Sequence, residues 1–353
     1  MSAAPGTTTD PVSKAMELLP IGPVLLIDTA GIDDSGALGA LRIERTRTVL
    51  RKTDVALLVV DASEGLRDED RELIETFERS GVKYLVVYNK SDLAACPPQD
   101  GFSVSAATGA HIHELKEKIA EVARGAESNR RLCADLLTLG DTVVLVIPID
   151  SAAPKGRLIL PQQQVLRDVL EAGATAVVTR ESELCDTLKK LVHAPKLVVT
   201  DSQAFGQVSK ETPPEVGLTS FSILMARYKG VLDSAVQGAF ALDTVGDGDK
   251  ILISEGCTHH RQCDDIGTVK LPRWIRQHTK ANPIFEFTSG GGFPADLSPY
   301  KVVVHCGGCM LGAREMLWRE RAAREAGVPM TNYGIVISHT HGILKRAIAP
   351  LGI

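Results

Sequence analysis

At 353 residues with 44% apolar content, the chain is long enough for two or three domains that each bury a core, and a disordered polymer is excluded. Its 39 basic and 44 acidic residues are interspersed and leave a net charge of -5, so no basic stripe points to nucleic acid or to an anionic membrane. Seven unevenly spaced cysteines make no disulfide framework, and nothing resembles a secretory leader or an apolar span of about twenty residues, so a reducing cytoplasm is expected.

Apolar runs of strand length alternate with amphipathic helical patterns, which predicts an α/β chain of three α/β domains with mainly parallel sheets. In the first block, 1–126, strands are expected at Val24–Ile27, Val55–Val60, Tyr84–Tyr88 and Phe102–Val104, with helices near Asp68–Ser80 and Ile112–Ala123. The second block, 127–214, follows the charged stretch Glu127–Arg131. Its pattern predicts strand Val143–Ile149, helix Gln162–Ala172, strand Ala176–Thr179, helix Ser182–Leu191 and strand Lys196–Thr200, closed by Pro213-Pro214. The third block, 215–353, opens with a helical pattern from Ser222 to Phe240 and continues through strands Lys250–Ile253, Ile284–Phe287, Val302–Val304 and Ile335–Ile337. No internal repeat is evident.

The first block carries a pattern suited to nucleotide chemistry. Asp28-Thr29-Ala30-Gly31 closes an apolar strand, placing a carboxylate and a small residue at a strand's carboxyl end. There the acid is suited to Mg²⁺ and the Gly31 amide to a terminal phosphate, although Asp-x-x-Gly alone is more often a plain turn. Asn89-Lys90-Ser91-Asp92 and Ser105-Ala106 close the next two strands and sharpen the reading. A fixed carboxylate at Asp92 accepts from both the ring N–H and the exocyclic amine of guanine, a donor pair adenine lacks. Lys90 is placed along the base plane, and the Ala106 amide, in a loop fixed by Ser105, meets the guanine carbonyl.

These residues resemble the G3, G4 and G5 motifs of P-loop GTPases, and Gly6-Thr-Thr-Thr9-Asp10 resembles the switch I segment of the Era-like branch. The resemblance implies GTP with Mg²⁺ as ligand, with Thr8, Asp28 and Gly31 at the metal and γ-phosphate. Two departures stand out. No G-x-x-x-x-G-K-[ST] run precedes the switch segment, so a poorly formed first domain with unpaired strand edges is expected, with a truncated gene as the expected cause. Ile32 follows Gly31 where many GTPases carry a water-orienting glutamine, so slow hydrolysis is expected.

In the third block, Cys257-Thr-His259 and His305-Cys306-Gly-Gly-Cys309 offer thiolates and imidazoles from two distant stretches. Both follow strands, so a parallel sheet brings them to its carboxyl edge, and Cys309 is expected at the start of a helix over Leu311–Ala326. Amides at a helix start stabilise thiolate and sulfide charge. Three thiolates leave a fourth coordination position open on zinc or on an iron–sulfur cluster, and spacing alone does not divide the two. A redox Cys-x-x-Cys pair is the further alternative. Cys96, Cys133 and Cys185 read as packing residues, and His339 and His341 as surface histidines.

Cys-x-His followed after forty-five residues by His-Cys-x-x-Cys resembles the cluster-binding signature of HydF, the GTPase that matures iron-only (FeFe) hydrogenase. The order GTPase, dimerisation and cluster-binding domain is similar along essentially the whole chain. The resemblance implies a 4Fe–4S cluster on Cys257, Cys306 and Cys309, with His259 or His305 near its open position. It also implies a homodimeric scaffold that takes a transient diiron precursor from radical-SAM maturation enzymes and passes it to apo iron-only hydrogenase. A zinc-binding GTPase of ribosome or RNA assembly is the competing expectation, against which the charge argues.

Overall fold

The computed structural model describes residues 12–19, 21–28, 49–93, 101–124, 130–149, 156, 158–256 and 265–353 and forms two compact units, Met1–Asn129 and Arg130–Ile353. Among the sequence-derived site residues, Thr8, Gly31, Cys257 and His259 lie outside the described residues. Among those described, no helix is long and apolar enough to cross a membrane.

The first unit holds two separate ladders. Strands β1 (Val12–Leu18) and β2 (Gly22–Asp28) form an antiparallel hairpin with Val12 opposite Asp28. Strands β3 (Val55–Asp61), β4 (Lys83–Asn89) and β5 (Phe102–Ser103) form a parallel sheet in that order. Ala56, Leu58 and Val60 alternate into a core with Phe77, Val82 and Tyr88, while Leu57 and Val59 face outward, the period-two signature of a strand. Helix Asp68–Arg79 carries three acids in its first turn and Arg79 in its last, a charge order that suits its dipole. Helix Ile112–Arg124 follows β5.

The second unit holds two four-stranded parallel sheets. Strands β6 (Thr142–Val146), β7 (Thr175–Thr179), β8 (Leu197–Thr200) and β9 (Gly217–Ser220) are ordered β7-β6-β8-β9. Strands β10 (Lys250–Glu255), β11 (Ile284–Ser289), β12 (Val302–His305) and β13 (Met330–Asn332) are ordered β11-β10-β12-β13. Both sheets therefore start in the middle, step to one side and reverse, although no sequence repeat signals it. The reversal point lies at the carboxyl ends of the first and third strands, the place where open α/β sheets hold ligands.

Helices Phe221–Lys229 and Leu232–Phe240 lie between the two sheets. Ile223, Ala226, Ala235 and Ala239 from this pair pack with Val144, Val198 and Leu218 on one side and Leu252, Val303 and Met330 on the other, giving one continuous core.

Several expectations change. The pattern from Ser222 to Phe240 is two helices: Ser220 caps the first through the amide of Ile223, and Gly230 ends it at φ +76°, a left-handed conformation that favours glycine. The middle sheet runs past Pro213-Pro214, because β9 pairs with β8. Ile335–Ile337 is not a strand but lies within helix Tyr333–Thr340, whose first six residues are all buried. An apolar run buried all round shows no period, and without one its length alone suggested a strand. The true edge strand is the preceding Met330–Asn332, too short and polar to stand out.

Candidate functional site

The cysteine motif sits at the reversal point of the second unit's last sheet. Ser254 of β10 is level with His305 of β12, and the Cys306 amide continues the ladder to the Ser254 carbonyl at 2.9 Å. The chain then turns through Gly307 and Gly308. Gly308 has φ +59°, a left-handed conformation that favours glycine, and a Cβ there would displace the Met316 side chain, whose sulfur lies 2.6 Å from its position. Helix Ala313–Glu325 begins four residues after Cys309, so the expected placement of Cys309 at the helix start does not hold: Leu311 N–H instead closes a turn on the Gly308 carbonyl.

The amides that reach sulfur come from the loops. Gly256 N–H donates to Cys306 Sγ at 3.1 Å, and Gly308 N–H to the same sulfur at 3.3 Å. Gly256 immediately precedes Cys257 in the sequence. Lys229, the last residue of helix Phe221–Lys229, is buried and spans the seam between the sheets, donating to the Gly308 carbonyl and, at 2.9 Å, to the Leu311 carbonyl. Burial pushes its ammonium down to about 8, against a pull upward from the neighbouring Cys309 and Cys306 sulfurs. Two thiols, two amides aimed at one sulfur and a buried cation form a donor set suited to an anionic metal–thiolate group.

His305 faces inward. Its Nδ1 lies 2.8 Å from the Cys306 carbonyl and its Nε2 2.9 Å from Arg319 Nη1. A carbonyl only accepts and a guanidinium only donates, so the ring is the neutral Nδ1–H tautomer with its one lone pair turned to Arg319. Burial pushes His305 down to about 3, with the charges of Arg319 and Lys229 adding to the effect. In this arrangement His305 has no lone pair for a metal; it joins β12 to the helix behind. Arg319 is itself fixed by Glu315 one turn earlier, by the Gly290 carbonyl at 2.9 Å and by the face of Phe293 at 4.9 Å.

In the first unit, Asn89 Oδ1 accepts from the Ala106 amide at 2.9 Å, tying together the loops that follow β4 and β5. Ser105 is fully buried and accepts from the Thr108 amide at 3.1 Å, which fixes the second loop. Asp92 is exposed just beyond β4. Lys90, at φ +62°, reaches Asp61 at the end of β3 at 2.6 Å. The Lys90 hydrogen bond, with help from Ser63, holds the Asp61 carboxyl well below the usual carboxylate range. Asp28 ends β2 in the hairpin, a ladder separate from β3-β4-β5, so no described pairing joins it to the loops of Asn89 and Ser105.

Sequence reasoning missed Lys229 and Arg319. The available signals were a lysine closing the largely apolar helix Phe221–Lys229 and a Glu-x-x-x-Arg pair, Glu315 and Arg319, on the buried face of helix Ala313–Glu325; both look like ordinary surface charge until packing is known.

Residues 132–230 match the hydrogen maturase F dimerization domain, and residues 233–350 match the hydrogen maturase F tetramerization domain. The chain belongs to the hydrogen maturase F family. The two matches together take up more than half of it, and residues 1–90 add a match to a domain described as a 50S ribosome-binding GTPase. Two of the matched domains are described by self-association and the third as a GTPase domain. The block expected to be a cluster-binding domain thus corresponds to the tetramerization domain.

Curated relatives match over part of the chain. The tRNA modification GTPase MnmE of Nitrosospira multiformis is 33% identical over 132 residues, covering 35% of this chain and 29% of the relative. MnmE of Enterococcus faecalis is 31% identical over 179 residues, covering 48% and 36%. GTPase Der of Wolinella succinogenes is 33% identical over 141 residues, covering 35% and 30%. The chain spans about a third of the length of these relatives.

Proposed function

We propose that the chain binds a 4Fe–4S cluster through Cys257, Cys306 and Cys309 and, under control of guanine nucleotide, carries a diiron precursor to apo iron-only hydrogenase. The observation that carries this reading is the Cys306 sulfur, which accepts amides from Gly308 and from the residue just before Cys257 while Lys229 clamps the same turn. When bound, such a cluster supplies an iron whose last coordination position is exchangeable. Cys257, Cys306 and Cys309 would hold it; Gly256 and Gly308 would stabilise sulfur charge; Lys229 would balance the group's negative charge. His259 is the imidazole left for the open position, because His305 is engaged by Arg319.

The nucleotide half follows the same logic. Asp92 would read the guanine edge, Ala106 its carbonyl and Lys90 its plane, with Asn89 and Ser105 bracing the loops. Thr8, Asp28 and Gly31 would serve Mg²⁺ and the γ-phosphate. Radical-SAM enzymes would supply the cyanide- and carbonyl-bearing precursor, the working form would be a homodimer or larger assembly, and its compartment would be the reducing cytoplasm.

The test is iron and acid-labile sulfide on anaerobically purified chain: about four of each per chain is expected for a 4Fe–4S cluster, falling away in Cys306→Ser. One zinc without sulfide would favour the second reading, a zinc-stabilised GTPase of ribosome or RNA assembly. The description of the domain matched by residues 1–90 supports that alternative.

A further inference from the structure

Asp243, His278 and His339 come from three separate elements and meet through one oxygen. Asp243 lies in the short turn Ala241–Thr244 after helix Leu232–Phe240, His278 near the end of helix Leu271–Thr279, and His339 in the last turn of helix Tyr333–Thr340. His278 Nε2 is 2.7 Å and His339 Nε2 is 2.9 Å from the same Asp243 Oδ1. All three donor atoms lie within 4.8 Å of one another. The imidazole rings stand 4.9 Å apart at 60°, and the Phe240 ring meets His339 edge-on at 5.1 Å.

We propose that Asp243, His278 and His339 form a second metal site, taking a divalent first-row transition ion such as zinc. Two imidazole nitrogens and one carboxylate oxygen are the donor set of mononuclear sites with open positions. Tetrahedral bonds of about 2.0–2.1 Å to such an ion put neighbouring donors about 3.3 Å apart, so each spacing from Asp243 to a histidine needs to open by about half an ångström. Exposure is graded across the site: 11% for the His339 side chain, 25% for His278 and 47% for Asp243. The imidazoles are thus shielded from competing water, while the carboxylate side stays open for entry and for a water as fourth ligand. An ion there would fasten three helical elements at a single point.

The competing account is one carboxylate accepting two imidazole N–H bonds as a purely structural tie. The two differ in what glutamine does: its amide N–H can still donate to Asp243, but it is a poor ligand for zinc. The experiment uses the full chain with Cys257→Ser, Cys306→Ser and Cys309→Ser, stripped of metal and titrated with zinc ion alone against a chromophoric chelator. One equivalent should bind, and His278→Gln or His339→Gln should weaken it at least tenfold with the metal-free melting temperature unchanged. Cobalt in its place should give d–d bands without a thiolate charge-transfer band. No zinc uptake by the triple-serine chain, or glutamine variants that bind zinc as tightly as that parent chain, overturns the proposal. Should the triple variant fail to fold, zinc stoichiometry of the wild-type chain against His278→Gln decides: one equivalent fewer supports the site, an equal count overturns it.

Discussion

Replacing Lys229 by methionine keeps the aliphatic stem in its packed position and deletes only the ammonium. Two buried carbonyls, Gly308 and Leu311, then lose their donor, and each unmet acceptor costs about 1–3 kcal/mol. Against this, the wild-type protein already carries the cost of burying the charge: a fall from 10.5 to about 8 corresponds to about 3 kcal/mol. The terms partly offset, about 2–6 kcal/mol against about 3, so global stability should change by no more than about 3 kcal/mol, a shift of at most about 10 °C in Tm for about 220 residues. The local effect is not offset, because the turn loses its anchor to helix Phe221–Lys229. Amide hydrogen exchange at Gly307–Leu311 should accelerate at least tenfold, which about 1.4 kcal/mol of lost local protection produces. Iron loss to a chelator should quicken in step. Unchanged exchange in that turn, with Tm also unchanged, would refute the idea that the ammonium holds the motif in shape.

Asp92→Asn should cost about tenfold or more in guanine-nucleotide affinity and move preference toward xanthine, whose carbonyl suits an amide donor; an unaltered base preference in a competition assay would remove Asp92 from the base-reading role. His305 stays neutral in the fold with its value pushed down to about 3, so below about 6.5 the unfolded chain binds a proton that the folded one refuses, and stability should fall with pH by up to about 1.4 kcal/mol per unit down to that lower value. Denaturant midpoints of the metal-free chain between pH 6 and 4, compared with His305→Gln, should show about that difference in slope; equal slopes would contradict a buried neutral ring. Cys133 is fully buried, its thiol pushed up to about 12 first by burial and then by the Asp168 carboxylate. Peptide mapping after iodoacetamide should therefore find exposed Cys185 labelled and Cys133 untouched until the protein unfolds.

Most of the parallel strands were legible because each is an apolar run bounded by turn residues. Val55–Asp61, Lys83–Asn89, Leu197–Thr200 and Val302–His305 fall within a residue or so of expectation. What escaped was short or lacked a period. Gly217–Ser220 and Met330–Asn332 owe their strand conformation to a neighbour's ladder rather than to propensity, and helix Tyr333–Thr340 hides its period because every face of its first six residues is covered. In the site, sulfur and imidazole could be read from residue type and spacing. The direction in which His305 points could not, since it depends on Arg319, fourteen residues on and brought near only by packing. Lys229 was hidden for the same reason, its partners lying some eighty positions away.

The layer of helices Phe221–Lys229 and Leu232–Phe240 has a consequence for how this region behaves as matter. Val144 and Leu218 on one flank and Leu252 and Met330 on the other press on the same residues, so severing the chain near Gly230 would leave each fragment with a raw greasy wall. Dimerization and tetramerization halves are two titles on one cooperative body, and calorimetry of Arg130–Ile353 should record a single endotherm where the domain names suggest two.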